Sequence, residues 1–361
     1  MPASERIVGV DVARALASLI MLQGHAFHGW ASDAAKETGA YAFTRVLGTF
    51  PLPAFLVLAG AAMTLRLEVA HRRCEPPREV RRGMVRRGVR VLGYGYLLSL
   101  LYALIDGGLR WPVLLRADVL HAIGLSVALA AWIGVREDAA GRIDRDAFAH
   151  RAGLLGLALT LACPWLSALS QGTEGPARYV VGLLSDVPGV GLMPLVPLFA
   201  WLGMGAVAMR LVGPRLAEPK IAAALLALAL AFLFIGRFAT PPLHDLGPGT
   251  GRASLAIVAN VVHLGGCGLV ILALGGLIGD RLSGAPLRWI VRIGQGSLFL
   301  YAVHIPFCYG RLAGELRHSL DMGRATLAVL LLGLLSVLAL ALRDRLRDWA
   351  RVRLTEGGAP T

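Results

Sequence analysis

Charge is scarce in this chain: only 16% of its 361 residues are charged, where a soluble domain carries about 25%. No polar tract is long enough for a water-soluble domain, so a globular fold packed in water is excluded. Nor do the apolar stretches alternate as the strands of a membrane barrel do: Ile221–Phe234 and Leu327–Leu342 are apolar throughout. Internal repeats, the usual mark of a transporter built from two halves, are missing. The four cysteines (Cys74, Cys163, Cys267, Cys308) have no spacing that suggests a disulfide framework or a zinc site. No HExxH pair is present, so no metal is expected.

What the chain has instead is apolar sequence, 56% of the total. A helix needs about 20 apolar residues to cross a bilayer core of about 30 Å. In lipid, backbone polar groups must be satisfied within the segment, so such runs mean helices. The runs predict about ten crossings, at 7–29, 45–67, 88–106, 115–135, 151–169, 193–212, 219–236, 252–279, 288–308 and 325–343. The fold class is therefore an all-α polytopic membrane bundle, read as a single domain over 1–361. The eighth run is long enough to tilt, or to break at Gly265-Gly266, and Pro164 interrupts the fifth. The first run carries Asp11 and Arg14, unlike the clean apolar core of a cleaved signal peptide, and is read as a retained helix.

The net charge of +13 follows topology rather than nucleic-acid binding. Arginines cluster after the second run (Arg66, Arg72, Arg73, Arg78, Arg81, Arg82, Arg86, Arg87), after the fourth (Arg136, Arg142, Arg145, Arg151), and in the tail (Arg343, Arg345, Arg347, Arg351, Arg353). By the positive-inside rule these segments are cytoplasmic, which puts both termini in the cytoplasm of a cell with a plasma (inner) membrane.

Ionisable residues at bilayer depth cost at least about 2.5 kcal/mol each, so they mark pairs, pathways or sites. The first run holds Asp11, Arg14, Gln23, His25 and His28. Arg14 and His25, eleven residues apart, share one helix face and are separated by about 16 Å along the axis. Asp11 and Arg14 are spaced to pair within the helix. Arg116, Asp118 and His121 open the fourth run, where the carboxylate can orient the imidazole and raise its pKa. The ninth run carries Gln295, Ser297, Tyr301 and His304, the last three on one face, and the eighth adds Asn260 and His263. Together these groups predict a polar chamber in the outer half of the bundle. Plainer readings exist for several. Asp11–Arg14 is also an ordinary ion pair, Asp118–His121 a helix cap, and Asn260 and His263 helix–helix hydrogen-bonding residues. The arginines at 86, 87 and 90 serve topology, and can also hold phosphates.

In order along the chain, four segments resemble membrane acyltransferases. They are Arg6-Ile-Val-Gly-Val-Asp-Val-Ala-Arg14-Ala-Leu-Ala with Met21-Leu-Gln-Gly-His25, then Pro51-Leu-Pro-Ala-Phe-Leu-Val-Leu-Ala-Gly60, then Arg116-Ala-Asp118-Val-Leu-His121-Ala-Ile-Gly124, and Ser297-Leu-Phe-Leu-Tyr301-Ala-Val-His304. The pattern is similar to the heparan-α-glucosaminide N-acetyltransferase-like group and to the broader acyltransferase-3 group. The latter has an arginine, ten residues and then a histidine in its first helix, the spacing of Arg14 and His25. The resemblance implies transfer of an acyl group, acetyl above all, from cytoplasmic acyl-CoA to a hydroxyl or amine across the membrane. The same resemblance implies a sugar, glycolipid or envelope polymer as acceptor, with membrane lipid as the other partner. It implies His25 as catalytic, with His28 the alternative, and Arg14 and Asp11 beside it. Arg116, Asp118, His121, Ser297, Tyr301 and His304 fall on the acceptor side, and Arg86, Arg87 and Arg90 on the CoA phosphates. Nothing in the chain implies a heparan-like polymer itself or an oligomeric state. The competing class is a transporter or flippase for a small polar or lipid-linked substrate, since polar residues lining a cavity also suit a translocation path.

Overall fold

The computed structural model describes residues 7–105, 108–109, 111–187, 189–244 and 250–356. Arg6 of the first-helix motif and the side chain of Arg351 lie outside the described residues. The described chain forms α1 (Val8–Trp30), α2 (Asp33–Lys36), α3 (Gly39–Leu47), α4 (Pro51–Arg72), α5 (Pro77–Ile105), α6 (Trp111–Leu114), α7 (Val119–Gly134) and α8 (Arg145–Ser170). It continues with α9 (Ala177–Leu184), α10 (Leu195–Val212), α11 (Pro219–His244), α12 (Thr250–Arg281), α13 (Gly284–Gln295), α14 (Ser297–Tyr309) and α15 (Met322–Glu356). Short 3-10 turns follow α10 and α14. Extended pairing among the described residues is limited to isolated bridges.

Among the described residues, seven helical stretches are long and apolar enough to cross a membrane: Gly39–Arg72, Pro77–Ile105, Arg145–Ser170, Leu195–Ala217, Pro219–Thr240, Gly251–Arg281 and Met322–Ala350. The protein is therefore a polytopic, all-α membrane helix bundle. The three other expected crossings fall on helices of a different kind. The 23 residues of α1 carry six polar side chains. The 16 residues of α7 rise only about 24 Å. The expected ninth crossing divides at Gly296 into α13 and α14.

That division corrects one expectation. The break falls at Gly296, whereas α12 passes unbroken through Gly265 and Gly266. Those two glycines serve close packing instead: a Cβ on Gly266 would lie 2.8 Å from the Ala229 carbonyl oxygen of α11, and one on Gly265 would lie 2.5 Å from Met204. Pro164 does not end α8, which runs to Ser170.

A second correction concerns the basic segment after α4. It is helical almost throughout, with only residues 73–76 between α4 and α5. Arginine is a good helix former, so both helices continue beyond the apolar residues that hydropathy detects. The turn is a Schellman motif: Cys74 adopts φ 51°, its N–H reaches the His71 carbonyl, and the Glu75 N–H reaches that of Ala70. Arg66 pairs with Glu75 and Arg145 with Glu68.

The chain divides into two compact units. The first comprises 1–17 and 49–282, the second 18–48 and 283–361. In the first, α4 and α10 meet at glycines. A Cβ on Gly60 would overlap the Leu202 carbonyl, and one on Gly205 would overlap that of Val57. Helices surrounded by lipid gain little from burying apolar surface, so close backbone approach carries much of their association. The second unit packs α1, α2, α3, α14 and α15 around Leu22, Phe27, Trp30, Tyr41, Cys308 and Val329. Here Gly29 lets α1 touch the Cys308 carbonyl, and the Trp30 Nε1–H donates to the Phe307 carbonyl at 2.8 Å.

Candidate active site

In the second unit, the last two turns of α1 face α14. His25 is half-buried, and its Nδ1 lies 3.0 Å from Nε2 of His304. His304 is fully buried, and its Nδ1–H donates to the Leu300 carbonyl at 2.6 Å. The two imidazoles stack with centroids 5.2 Å apart. Tyr301 and Tyr309 set their rings edge-on to His25 at 6.3 and 5.6 Å. The expected face of α14 thus exists for Tyr301 and His304, both buried. Ser297 is half-buried one turn earlier, at the first residue of α14, and Gln295 is exposed at the end of α13.

His28 sits one turn beyond His25 and is exposed. Its Nδ1 lies 3.3 Å from the Tyr41 hydroxyl, and its ring meets Tyr309 at 5.9 Å. Gln23 donates from Nε2 to the Thr44 carbonyl at 3.5 Å. Tyr309 and Tyr41, absent from the sequence reading, therefore belong to this cluster. Their signal is weak, because a tyrosine near the end of an apolar run usually marks the membrane interface.

The other polar groups belong to the first unit. Asp11 is buried, and its Oδ1 stands 3.8 Å from Arg14 Nη1, as their spacing predicts. Asp118 caps α7: its carboxylate accepts from the Val119 N–H at 2.6 Å. The Asp118 backbone N–H in turn donates to His121 Nδ1 at 3.1 Å, completing a capping box. The expectation that the carboxylate orients the imidazole is thereby corrected: the backbone amide orients it. Because Nδ1 accepts, the neutral ring carries its proton on Nε2. That Nε2 is buried with no hydrogen-bond partner among the described residues. The His121 ring rests on Gly95, where a Cβ would approach within 2.9 Å, and lies edge-on to Tyr96 at 4.3 Å. Arg116 is exposed.

His263 fulfils the helix–helix reading: its Nδ1–H donates to the Leu233 carbonyl of α11 at 2.8 Å. Asn260 is exposed. A cavity of about 600 Å³ in the first unit lies among α8, α10, α11 and α12, but it is apolar, lined by residues such as Leu157, Met204, Leu228 and Phe232. It is not the polar chamber that the sequence suggests.

Arg86, Arg87 and Arg90 are exposed along α5. A basic cavity of about 210 Å³ lies nearer the start of that helix, among Pro77, Arg78, Arg81, Val135, Arg136 and Glu137. Arg78 and Glu137 are 3.8 Å apart. In the adjoining α7–α8 loop, N–H groups of Arg142 and Ala140 on Asp138 hold its carboxyl below the usual range. No cluster of three or more His, Cys, Asp or Glu side chains is placed to hold a metal among the described residues.

A polytopic helix bundle that holds stacked imidazoles beside two tyrosines is an integral membrane protein with a cluster of titratable side chains. A family model described as heparan-alpha-glucosaminide N-acetyltransferase, catalytic, matches residues 6–241, and the chain belongs to that family. It is accordingly a membrane-bound acyltransferase, and its reaction is acyl-CoA-dependent acyl transfer across the membrane. No curated protein matches the chain at a significant level. The matched region takes in Asp11, Arg14, His25, His28, the α5 arginines and the α7 cap, and it ends before Ser297, Tyr301 and His304.

Proposed function

We propose that the protein moves an acyl group, acetyl in the first instance, from cytoplasmic acyl-CoA to a hydroxyl or amine of a sugar, glycolipid or envelope polymer. In this reading His25 takes the proton of the acceptor as its oxygen or nitrogen attacks the thioester carbonyl. A C–O or C–N bond forms, the C–S bond breaks, and the proton passes to the departing thiolate to give CoA. The observation that carries the assignment is the setting of His25: half-buried, hydrogen-bonded through Nδ1, and flanked by Tyr301 and Tyr309. A base positioned by a second group is the usual arrangement for general-base catalysis. His28, exposed and bonded to Tyr41, is the weaker candidate.

Arg14, held by Asp11, is assigned to the CoA arm. The polyphosphate end of CoA is assigned to the basic face of α5. Arg78, Arg81 and Arg136 surround a cavity there, which favours them over Arg86, Arg87 and Arg90. On the acceptor side, Tyr301 and Ser297 serve in the second unit. Arg116, Asp118 and His121 serve in the first, with Asp118 acting through the order it gives the α7 entrance. The reading includes ten crossings, with α1, α7 and the α13–α14 pair added to the seven long helices, both termini cytoplasmic and the plasma (inner) membrane as the location.

The test is His25→Ala in purified, correctly inserted protein, with transfer of label from acetyl-CoA into envelope glycans as the readout. Loss of transfer with retained acetyl-CoA binding supports the assignment. Unchanged transfer removes His25 from the chemistry.

A further inference from the structure

We infer that His304 is a positioning residue that fixes the tautomer of His25, through a relay running Leu300 carbonyl, His304, His25. This rests on the reading of His25 as the base and moves His304 from the acceptor side to behind the base. The relay follows from counting protons. A carbonyl oxygen only accepts, so the 2.6 Å contact to Leu300 requires the proton of His304 on Nδ1. A neutral His304 then has a lone pair on Nε2. The atom 3.0 Å away, His25 Nδ1, must therefore be the donor. With its proton on Nδ1, His25 has its lone pair on Nε2, the nitrogen on the far side of the ring from His304 and the one that would take the acceptor's proton.

The carbonyl that anchors the chain belongs to the same helix as His304, four residues earlier, so α14 itself sets the direction. When His25 takes a proton on Nε2, its Nδ1–H already points at His304 Nε2, and the new positive charge is shared along an existing hydrogen bond. The Leu300 carbonyl has the part that a carboxylate plays behind many catalytic histidines, without a buried negative charge. No carboxylate pairs with either ring among the described residues. The other titratable or charged groups around His25 are His28 on α1, Tyr301 and Tyr309 on α14, and Arg45 on α3.

The direct test needs no acceptor. Nitrogen NMR of the full chain, labelled with ¹⁵N-histidine in nanodiscs and assigned by subtraction of His25→Gln, reads which ring nitrogen carries the proton. The expected result is a protonated Nδ1 and a bare Nε2 for His25, with the opposite tautomer or a mixture in His304→Leu. Protonated Nε2 in the unaltered protein overturns the relay. His304→Gln retains an oxygen to accept from His25 and an N–H to donate to Leu300, so it restores the tautomer where leucine does not. With labelled acetyl-CoA as donor, His304→Leu lowers kcat about 10- to 100-fold, the usual range for losing a partner that orients a reactive imidazole. It leaves KM for acetyl-CoA within about twofold, because in this reading the relay contacts only the base. Equal kcat for His304→Leu, His304→Gln and the unaltered enzyme also overturns the relay. If the tautomer is as stated but His25→Ala still transfers label, the relay stands and the assignment of His25 as base falls. The reverse pattern spares the base and removes the relay.

Discussion

Two histidines near helix ends, His25 and His121, bond in opposite directions. The His121 ring is turned inward along its own helix. Its Nδ1 receives the Asp118 N–H, so the imidazole closes the start of α7 and fills the space above Gly95. The His25 ring is turned across to another helix, where its Nδ1 meets His304. Both residues lie in apolar sequence beside other polar groups; the sequence singled out His25 by the face it shares with Arg14, and left a helix cap open for His121. What separates them is the partner of one nitrogen: a local backbone group for His121, a side chain on another helix for His25.

The comparison breaks if the two residues respond alike to removal. His25→Ala is expected to lower label transfer from acetyl-CoA by about 10²–10⁴-fold, the range for losing a general base, with normal elution of the inserted protein on size exclusion. His121→Ala should keep turnover within about tenfold, its effect confined to the KM for acceptor and to stability, since loss of a capping partner costs about 0.5–2 kcal/mol. Equal losses of kcat in the two variants would give both rings the same kind of role.

A smaller effect separates the basic residues of α5. Arg81→Ala should raise apparent KM for acetyl-CoA roughly tenfold, corresponding to loss of about 1.5 kcal/mol from a charged hydrogen bond. Arg87→Ala, on the open flank of α5, should raise it less. The reverse order would move the phosphate site from the cavity to the helix flank. Among structural contacts, Trp30→Phe leaves the Phe307 carbonyl without its indole donor and should cost about 1–3 kcal/mol in the second unit. Asp118→Ala should cost about 1 kcal/mol in the first. Thermal unfolding in detergent, followed separately by labels in the two units, measures both.

Much of this arrangement could be read from residues alone. Among the described residues the expected crossings fall largely on helices, the ninth on the two that meet at Gly296, because an apolar run leaves the backbone no other way to satisfy itself in lipid. Asp11 and Arg14 pair, and His263 bonds to a neighbouring helix, since short spacing and a lone imidazole in an apolar run leave few alternatives. The ends of α4 and α5 were not legible from hydropathy, which marks the lipid-facing portion and misses arginine-rich turns that stay helical. The break at Gly296 was missed, while for the long eighth run a tilt and a break at Gly265-Gly266 were both left open. A glycine inside an apolar run serves a bend or a close contact equally well, and only the neighbouring helix decides. The direction of each imidazole was likewise hidden, because ring orientation depends on residues such as Leu300 and Gly95 whose side chains carry no chemistry.

The left-handed turn at Cys74 has a practical consequence. It raises one sulfhydryl into the open between two arginine-rich helix ends, while Cys163, Cys267 and Cys308 are enclosed. The natural sequence thus supplies its own sidedness marker. A membrane-impermeant maleimide added to intact cells, and then to inside-out vesicles, would report which compartment that turn faces, with no engineered tag.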